Sequence, residues 1–402
     1  MVSSASSLPS SRALKPVPTA AARSRLQALD ALRGLAMILM ALDHVRDFFH
    51  RAAMSFSATD LTRTTTIIFL TRWITHFCMP VFMFTAGVSA FLWWHQNRRS
   101  RSELARFLLT RGIWFIFLEL TVMQLSYNFN FSRQNMILLL VLWIFGLCMI
   151  LLSALIWLPL RVLAALSAAV IVLHNGLDRF SLPVWLFLHQ PGVFQLAGRT
   201  VLVSYPVLPW VAVMGAGFCF GPALLFDPPR RRGLMLRAGI GLTIAFFIMR
   251  TLNWYGDPSP HGAGVLSFLN CTKYPASLDY LLMTLGPALI ALSLLDRLSF
   301  HARNPLIVFG RVPFLYYVAH LFVIHAVLVL LCWARYGNPA FGFMFHPVPS
   351  FGGPQNLFPS DFGYRLRVVY LVWMTVVALL YPLCLWFSEY KASHKQWWLR
   401  YL

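Results

Sequence analysis

The chain has 402 residues, of which 58% are hydrophobic, 15% aromatic and only 11% charged. Soluble domains carry about 25% charged residues, so a soluble fold would leave much of this apolar surface in water. The formal net charge of +20 does not indicate a nucleic-acid-binding protein, because the arginines cluster in short loops between apolar segments and form no soluble basic module. The composition therefore predicts an all-α, polytopic integral membrane protein.

Ten apolar windows, most of about 20 residues, predict a bundle of about ten transmembrane helices. In chain order they lie at 29–49, 66–94, 107–127, 136–159, 162–175, 207–226, 237–254, 276–296, 306–333 and 368–388. Residues 1–25 are rich in Ser, Ala, Pro and Arg without an apolar core, so we expect a disordered cytoplasmic tail and no cleavable signal peptide. Residues 26–390 then form one transmembrane domain, and 391–402 form a short cytoplasmic tail.

The loops differ in charge between the two sides of the predicted bundle. The loops 95–106, 227–236 and 297–305 and the tail after Glu389 hold more basic residues than the loops of the other side. By the positive-inside rule this side is cytoplasmic, and with ten spans both termini lie on it. The other side carries long connections that usually shape a binding surface, at 50–65, 176–206, 255–275 and 334–367. Within 176–206 the stretch LPVWLFLHQPGVF is expected to lie in the membrane interface.

The first span carries a stripe of polar residues. Arg33 and His44 are 11 residues apart, which is about three helical turns and about 16 Å along the axis, so they share one face. That face reads Asp30, Arg33, Met37, Met40, His44 and Asp47. One alternative is that Arg33 reaches the headgroups while His44 sits at the outer interface. This alternative does not explain why acidic, basic and histidine side chains align on one helical face. Ionisable groups in membrane spans usually mark a substrate path.

The chemistry of this stripe favours an enzyme. His44, with Asp47 or Asp43 to orient its ring, can act as a general base. Arg33, deeper towards the cytoplasm, suits a phosphate or a polarised carbonyl of a donor that enters from inside. No Ser or Cys stands in a recognisable nucleophile setting. Direct transfer of a group between two substrates, without a covalent enzyme intermediate, is therefore the simpler mechanism. The alternative is a transporter of a small polar solute that uses the same charges.

Several later residues are further candidates for the site. Arg72 and His76 share one face of the second span and would complete the site if that span packs against the first; a structural contact is the equal alternative. Lys273 is an isolated lysine among arginines, which suggests contact with an anionic ligand or an interfacial anchor. Arg311 and His320 are interpreted as cavity-lining groups.

The sequence does not indicate a metal site. His320 and His325 are five residues apart, about 140° around a helix, so they cannot share a metal as i, i+4 ligands do. The six cysteines are scattered singly, which indicates neither a zinc site nor a disulfide framework.

Four ordered blocks resemble a known family. The opening block is RLQALDALRGLAMILMALDHVRDFF, at 25–49. It is followed by YPVLPWVAVMGAGFCFG at 205–221, TKYPASLDYLLMTLGPAL at 272–289 and FGRVPFLYYVAHLFVIH at 309–325. Together they resemble the bacterial membrane proteins grouped with heparan-α-glucosaminide N-acetyltransferase. The spacing of Arg33 and His44 also resembles the Arg-x10-His pattern of the broader acyltransferase-three group, in which the histidine is the expected base.

The resemblance implies a membrane enzyme that takes an acyl group, expected to be acetyl, from cytoplasmic acyl-coenzyme A and passes it to a sugar or glycan outside. The lysosomal enzyme has asparagine where this chain has His44 and relies on a histidine in the following loop, where His50 is the nearest candidate here. The base is therefore His44 or His50. We expect His44, Asp47, Asp43 and His50 at the catalytic centre, and Arg33, Asp30, Lys273, Arg311 and His320 at the donor site.

The expected partners follow from these assignments. They are acyl-coenzyme A as donor, a sugar or glycan as acceptor, and membrane lipid, with neither nucleic acid nor a metal. The sequence does not fix the oligomeric state, and a homodimer is one of the alternatives.

Overall fold

The computed structural model describes residues 20–96, 98–132, 135–180 and 185–401. Residues 1–19 of the predicted N-terminal tail lie outside these, and from Ala20 onward the chain already belongs to the first helix. The helices are α1 (Ala20–Phe49), α2 (Thr66–Thr75), α3 (Cys78–Gln96), α4 (Arg101–Leu118), α5 (Gln124–Asn128), α6 (Val141–Leu155), α7 (Leu160–Leu173), α8 (Trp185–Leu188), α9 (Val207–Phe220), α10 (Pro228–Leu252), α11 (Val265–Leu269), α12 (Leu278–Leu295), α13 (Pro305–Arg311), α14 (Pro313–Tyr336) and α15 (Leu366–Ser393).

The predicted membrane bundle is confirmed. In the described part of the chain, eight helical stretches are long and apolar enough to cross a membrane, one of them running through α2 and α3 from Thr66 to Gln96. The other two predicted spans are also helices. One is α1, with 30 residues and several charges, and the other is α6, with 15 residues. Every predicted span therefore corresponds to helical structure.

Helix α1 occupies the centre of the bundle. It contacts α2, α3 and α12 to α15, and Ala31, Ala41, Val45, Phe48 and Phe49 on it are fully buried. By contrast, α7 and α10 leave most of their apolar side chains at the surface, as helices that face lipid do. The charged residues of α1 are therefore surrounded by protein, where partners can compensate them.

A small three-stranded sheet covers the bundle on the side of the long connections. Its strands are β1 (Ile137–Leu139), β2 (Gly192–Leu196) and β3 (Arg199–Val203), in the order β1-β3-β2. β1 runs parallel to β3 and β2 antiparallel to it. Ala197 and Gly198, between β2 and β3, both have positive φ, as a tight hairpin turn requires.

The sheet and the last helix correct three predicted boundaries. The span predicted at 136–159 begins as a helix only at Val141, because residues 137–139 pair with β3. Of the predicted interfacial stretch at 182–194, residues 182–184 lie outside the described residues, the next four form the single turn α8, and the end joins β2. At the other end, α15 continues to Ser393, so Lys391 lies on a helix and not in a tail.

Helices α1 and α13 cross so closely that only glycine fits at the crossing. A Cβ on Gly34 would lie 1.9 Å from the carbonyl oxygen of Leu306, and one on Gly310 would lie 1.8 Å from that of Asp30. Small residues allow this kind of backbone approach in membrane bundles. The crossing also brings the Asp30 carboxylate within 3.9 Å of Arg311 Nε.

Gly34→Ala or Gly310→Ala should force α1 and α13 apart. We expect each to lower the free energy of unfolding by about 1–3 kcal/mol, the usual cost of overpacking, seen as a lower melting temperature of the purified protein in detergent. Gly241→Ala on α10 is the matched control, because a Cβ there meets no atom within 4 Å and alanine favours a helix. Equal melting of Gly34→Ala and Gly241→Ala would contradict the close crossing.

Candidate active site

Two cavities lie along α1. The inner cavity, of about 370 Å³, is lined by residues near the helix ends that adjoin the arginine-rich loops, among them Asp30, Arg33, Arg311 and Lys391. The outer cavity, of about 530 Å³, contains His44 and is covered by the three-stranded sheet and by residues 350–352. The Arg33 end of the polar stripe on α1 therefore lines the inner cavity, and the His44 end lines the outer cavity.

The two cavities meet at one wall. Phe82 of α3 and Val141 at the start of α6 line both of them. On α1, Met37 lines the inner cavity and Met40 the outer one. These apolar side chains form the partition between the cavities, close to the middle of the Arg33–His44 stripe.

Arg33 is held against α3 in the inner cavity. Its guanidinium donates hydrogen bonds to the Thr85 carbonyl oxygen (2.8 Å) and hydroxyl (3.2 Å) and to the Ser89 hydroxyl. Asp30 lies 3.9 Å from both Arg33 and Arg311. Thr85 and Ser89, one turn apart on α3, thus fix the position of the Arg33 guanidinium.

The inner cavity carries an excess of positive charge. Four cationic side chains line it, from Arg33, Arg111, Arg311 and Lys391, against the single carboxylate of Asp30. Trp93 and Phe107, with rings stacked 4.4 Å apart, add an aromatic wall. This combination suits a ligand with several negative charges and a flat or apolar portion.

In the outer cavity, ion pairs hold Asp43 and Asp47, the two carboxylates on either side of His44 in the sequence. Asp43 forms an ion pair with Arg46, with 3.1 Å between Oδ1 and Nη2, and accepts a hydrogen bond from Arg72 of α2 through Oδ2. Asp47 accepts from Arg46 as well. Neither carboxylate hydrogen-bonds His44, so both act on its ring through their charge. Arg72 joins the site, whereas its neighbour His76 is buried against Tyr280 and does not line the cavity.

His44 and His320 lie together. His44 lines the outer cavity, and its ring centroid is 5.1 Å from that of His320 on α14. His320 is fully buried and lines neither cavity. The neighbouring His325 has both ring nitrogens at backbone carbonyls, of Ser126 and Met344, so its role is structural. No group of three or more His, Cys, Asp or Glu that could hold a metal occurs among the described residues.

Lys273 lies in the outer cavity with His44, not in the inner cavity with Arg33. Its ammonium group is 5.2 Å from the Tyr274 ring centroid, and the Tyr274 hydroxyl is 3.2 Å from that of Tyr205. Burial opposes ionisation of Tyr274, but the positive charges of Lys273 and Arg72 prevail and lower the pKa of Tyr274. This end of the cavity therefore favours negative charge.

His50 lies outside both cavities. Its backbone forms a bridge with Tyr364 at the end of α1, and its side chain is only 5% exposed. Burial, with the charge of Arg46 as a second cause, lowers the pKa of His50 to about 4. His50 is therefore neutral at physiological pH but has no access to either cavity.

The comparison with known families agrees with the resemblance. The family model described as heparan-alpha-glucosaminide N-acetyltransferase, catalytic, matches residues 25–257, which is more than half of the 402-residue chain. The chain therefore belongs to this family of membrane acyltransferases. The matched part includes nearly all of α1 to α10, while the blocks at 272–289 and 309–325 lie beyond it. A comparison with curated proteins finds no significant match.

The depressed pKa of His50 predicts an acid-sensitive contribution to stability. Between about pH 6.5 and pH 4 the unfolded chain protonates this histidine and the folded protein does not, so stability is lost as the pH falls through that window. His50→Gln removes the difference, and we expect its melting temperature to fall less than that of the wild type over this range. Parallel pH profiles for the two proteins would contradict this.

Proposed function

We propose that this member of the heparan-α-glucosaminide N-acetyltransferase family moves an acyl group, expected to be acetyl, from acyl-coenzyme A to a sugar or glycan on the other side of the plasma or inner membrane. The donor enters the inner cavity from the cytoplasm, and the acceptor enters the outer cavity. The observation that carries the proposal is the pair of cavities along α1, which meet at Phe82 and Val141 with Arg33 in one and His44 in the other.

The inner cavity fits the chemistry of a coenzyme A thioester. Its four cations match the phosphates of the donor, and the partly exposed Arg311 marks a mouth where the nucleotide end can stay near water. A cavity of about 370 Å³ is within the usual range for small-molecule pockets. It suits the narrow, thioester-bearing end of acyl-coenzyme A. Arg33, Asp30 and Arg311 then belong to the donor site, with the thioester at the partition.

The transfer step is direct. The acceptor's hydroxyl or amine attacks the thioester carbonyl carbon as His44 Nε2 takes its proton, the carbon–sulfur bond breaks, and the coenzyme A thiolate leaves through the inner cavity. The proton on His44 then passes to the thiolate. Asp43 and Asp47, which are paired with Arg46 and Arg72, stabilise the positive charge that forms on His44. His50 is the weaker candidate for the base, because it reaches neither cavity.

Lys273 is better placed for the acceptor than for the donor. It lines the outer cavity and, within the described residues, forms no ion pair, whereas Arg46 and Arg72 are paired with Asp43 and Asp47. A lysine in this setting can bind a negatively charged group of the acceptor.

The proposal is tested with the purified protein in liposomes that present labelled acetyl-coenzyme A to one face and a mixture of sugars to the other. The wild type should transfer the label or slowly hydrolyse the donor. His44→Ala should reduce transfer by about 10²- to 10⁴-fold, the usual contribution of a general base, with donor binding intact, while His50→Ala should keep most of the activity. Solute flux with neither donor binding nor hydrolysis would identify a transporter instead.

Arg33 and Lys273 should affect different substrates. We expect Arg33→Met to raise the KM for acyl-coenzyme A about 10-fold or more, since a charge-assisted hydrogen bond contributes about 1.5–3 kcal/mol, and to leave the acceptor KM nearly unchanged. Lys273→Met should do the opposite with an anionic acceptor. Steady-state kinetics with one substrate varied at a time separates the two effects. A rise of both KM values in both variants would contradict the assignment of one cavity to each substrate.

A further inference from the structure

Two neighbouring histidines beside the outer cavity each have a buried ring nitrogen without a hydrogen-bond partner. His44 Nδ1 and His320 Nε2 are both inaccessible to solvent, and in the described part of the chain neither has a hydrogen-bond partner. Their rings are 5.1 Å apart between centroids and tilted by 58°. Buried polar atoms are nearly always hydrogen-bonded, so a pair of unpartnered nitrogens in contacting rings requires an explanation.

The surroundings of His320 fix which of its nitrogens carries the proton. Nδ1 lies at the backbone carbonyls of Tyr317 and Tyr316, which only accept, so Nδ1 must donate. Nε2 is then the nitrogen with a free lone pair. Stacking of the ring on Tyr316, at 5.8 Å and 18°, holds this orientation, and complete burial keeps water away.

His44 has the complementary arrangement. It lines the outer cavity, and Nδ1 is its buried, unpartnered nitrogen, which leaves Nε2 to face the acceptor. A general base needs its lone pair on the nitrogen that faces the substrate, so the proton of neutral His44 must sit on Nδ1. The charged groups around it are Asp43, Arg46 and Asp47 of α1, Arg72 of α2 and Lys273. Both carboxylates are engaged by the two arginines.

We propose that His320 is the positioning residue for His44: its Nε2 accepts the Nδ1–H of His44 and thereby keeps the His44 Nε2 lone pair directed at the acceptor. This rests on the proposed function. When His44 takes the acceptor's proton, both of its nitrogens carry hydrogen, and the bond to His320 strengthens because its donor becomes charged. The Nδ1–H of His320 stays on the Tyr317 carbonyl throughout. Such bonds often shorten only when substrate is bound.

Two isosteric variants separate this role from packing. His320→Gln places its amide where Nε2 lies and can accept from His44, whereas His320→Asn places its amide where Nδ1 lies and leaves no acceptor towards His44. We expect His320→Asn to lower kcat about 10- to 100-fold, a part of the full general-base contribution, with an unchanged KM for acyl-coenzyme A. The acidic limb of its pH–rate profile should move to lower pH, because protonated His44 has lost its acceptor. His320→Gln should restore most of the rate and the position of the limb.

A second readout does not require turnover. The rate at which diethylpyrocarbonate modifies His44, followed by peptide mass spectrometry across a pH series, reports its protonation directly. The modification midpoint should move to lower pH in His320→Asn and stay near the wild-type value in His320→Gln. A shifted midpoint in His320→Asn, together with a wild type that transfers no acyl group, would overturn the proposed function and leave the histidine pair standing. Active protein in which the two variants lose rate equally, with unchanged pH profiles and midpoints, would overturn the pair and assign His320 to packing.

Discussion

The structure depends on compensating charges that lie inside a membrane bundle. α1 carries Asp43, Arg46 and Asp47 within two turns, and each would be costly to bury alone. Arg46 bridges both carboxylates, and Arg72 from α2 supplies the second positive charge, so the network contains two charges of each sign. This balance fixes α2 against α1. It also leaves His44, the residue between the paired acids, without a competing ion pair.

Close helix packing fixes where the two cavities end. α1 and α13 cross at glycines, and α3 and α9 do the same at Gly87 and Gly217, where a Cβ would lie about 2 Å from a carbonyl oxygen of the other helix (1.9 and 2.0 Å). Bringing α3 and α13 this near to their neighbours closes the bundle around Phe82 and Arg311. The cavities are therefore spaces between tightly crossed helices, and their linings come from elements far apart in the sequence.

Periodicity and hydropathy predicted the fold well, because each span must satisfy the bilayer by itself. The stripe from Asp30 to Asp47 was predictable for the same reason, since all its members lie on one helix. Contacts between helices were not predictable in this way. Nothing local to Lys391 or Lys273 shows that they line opposite cavities, and His320 meets His44 only because α14 packs beside α1. The strand at 137–139 was missed because its apolar residues also fit the end of a membrane helix, and its partner at 199–203 was placed within the long connection at 176–206.

The partition at Phe82 and Val141 has an electrical consequence. In the proposed topology the two cavities open to opposite sides of the membrane, so the transmembrane voltage falls mainly across these few apolar side chains, where each elementary charge is worth about 2.3 kcal/mol per 100 mV. In the proposed reaction the acyl group crosses outward while a proton crosses inward to the thiolate. The exchange moves no net charge, so the resting potential of the cell neither drives nor opposes turnover.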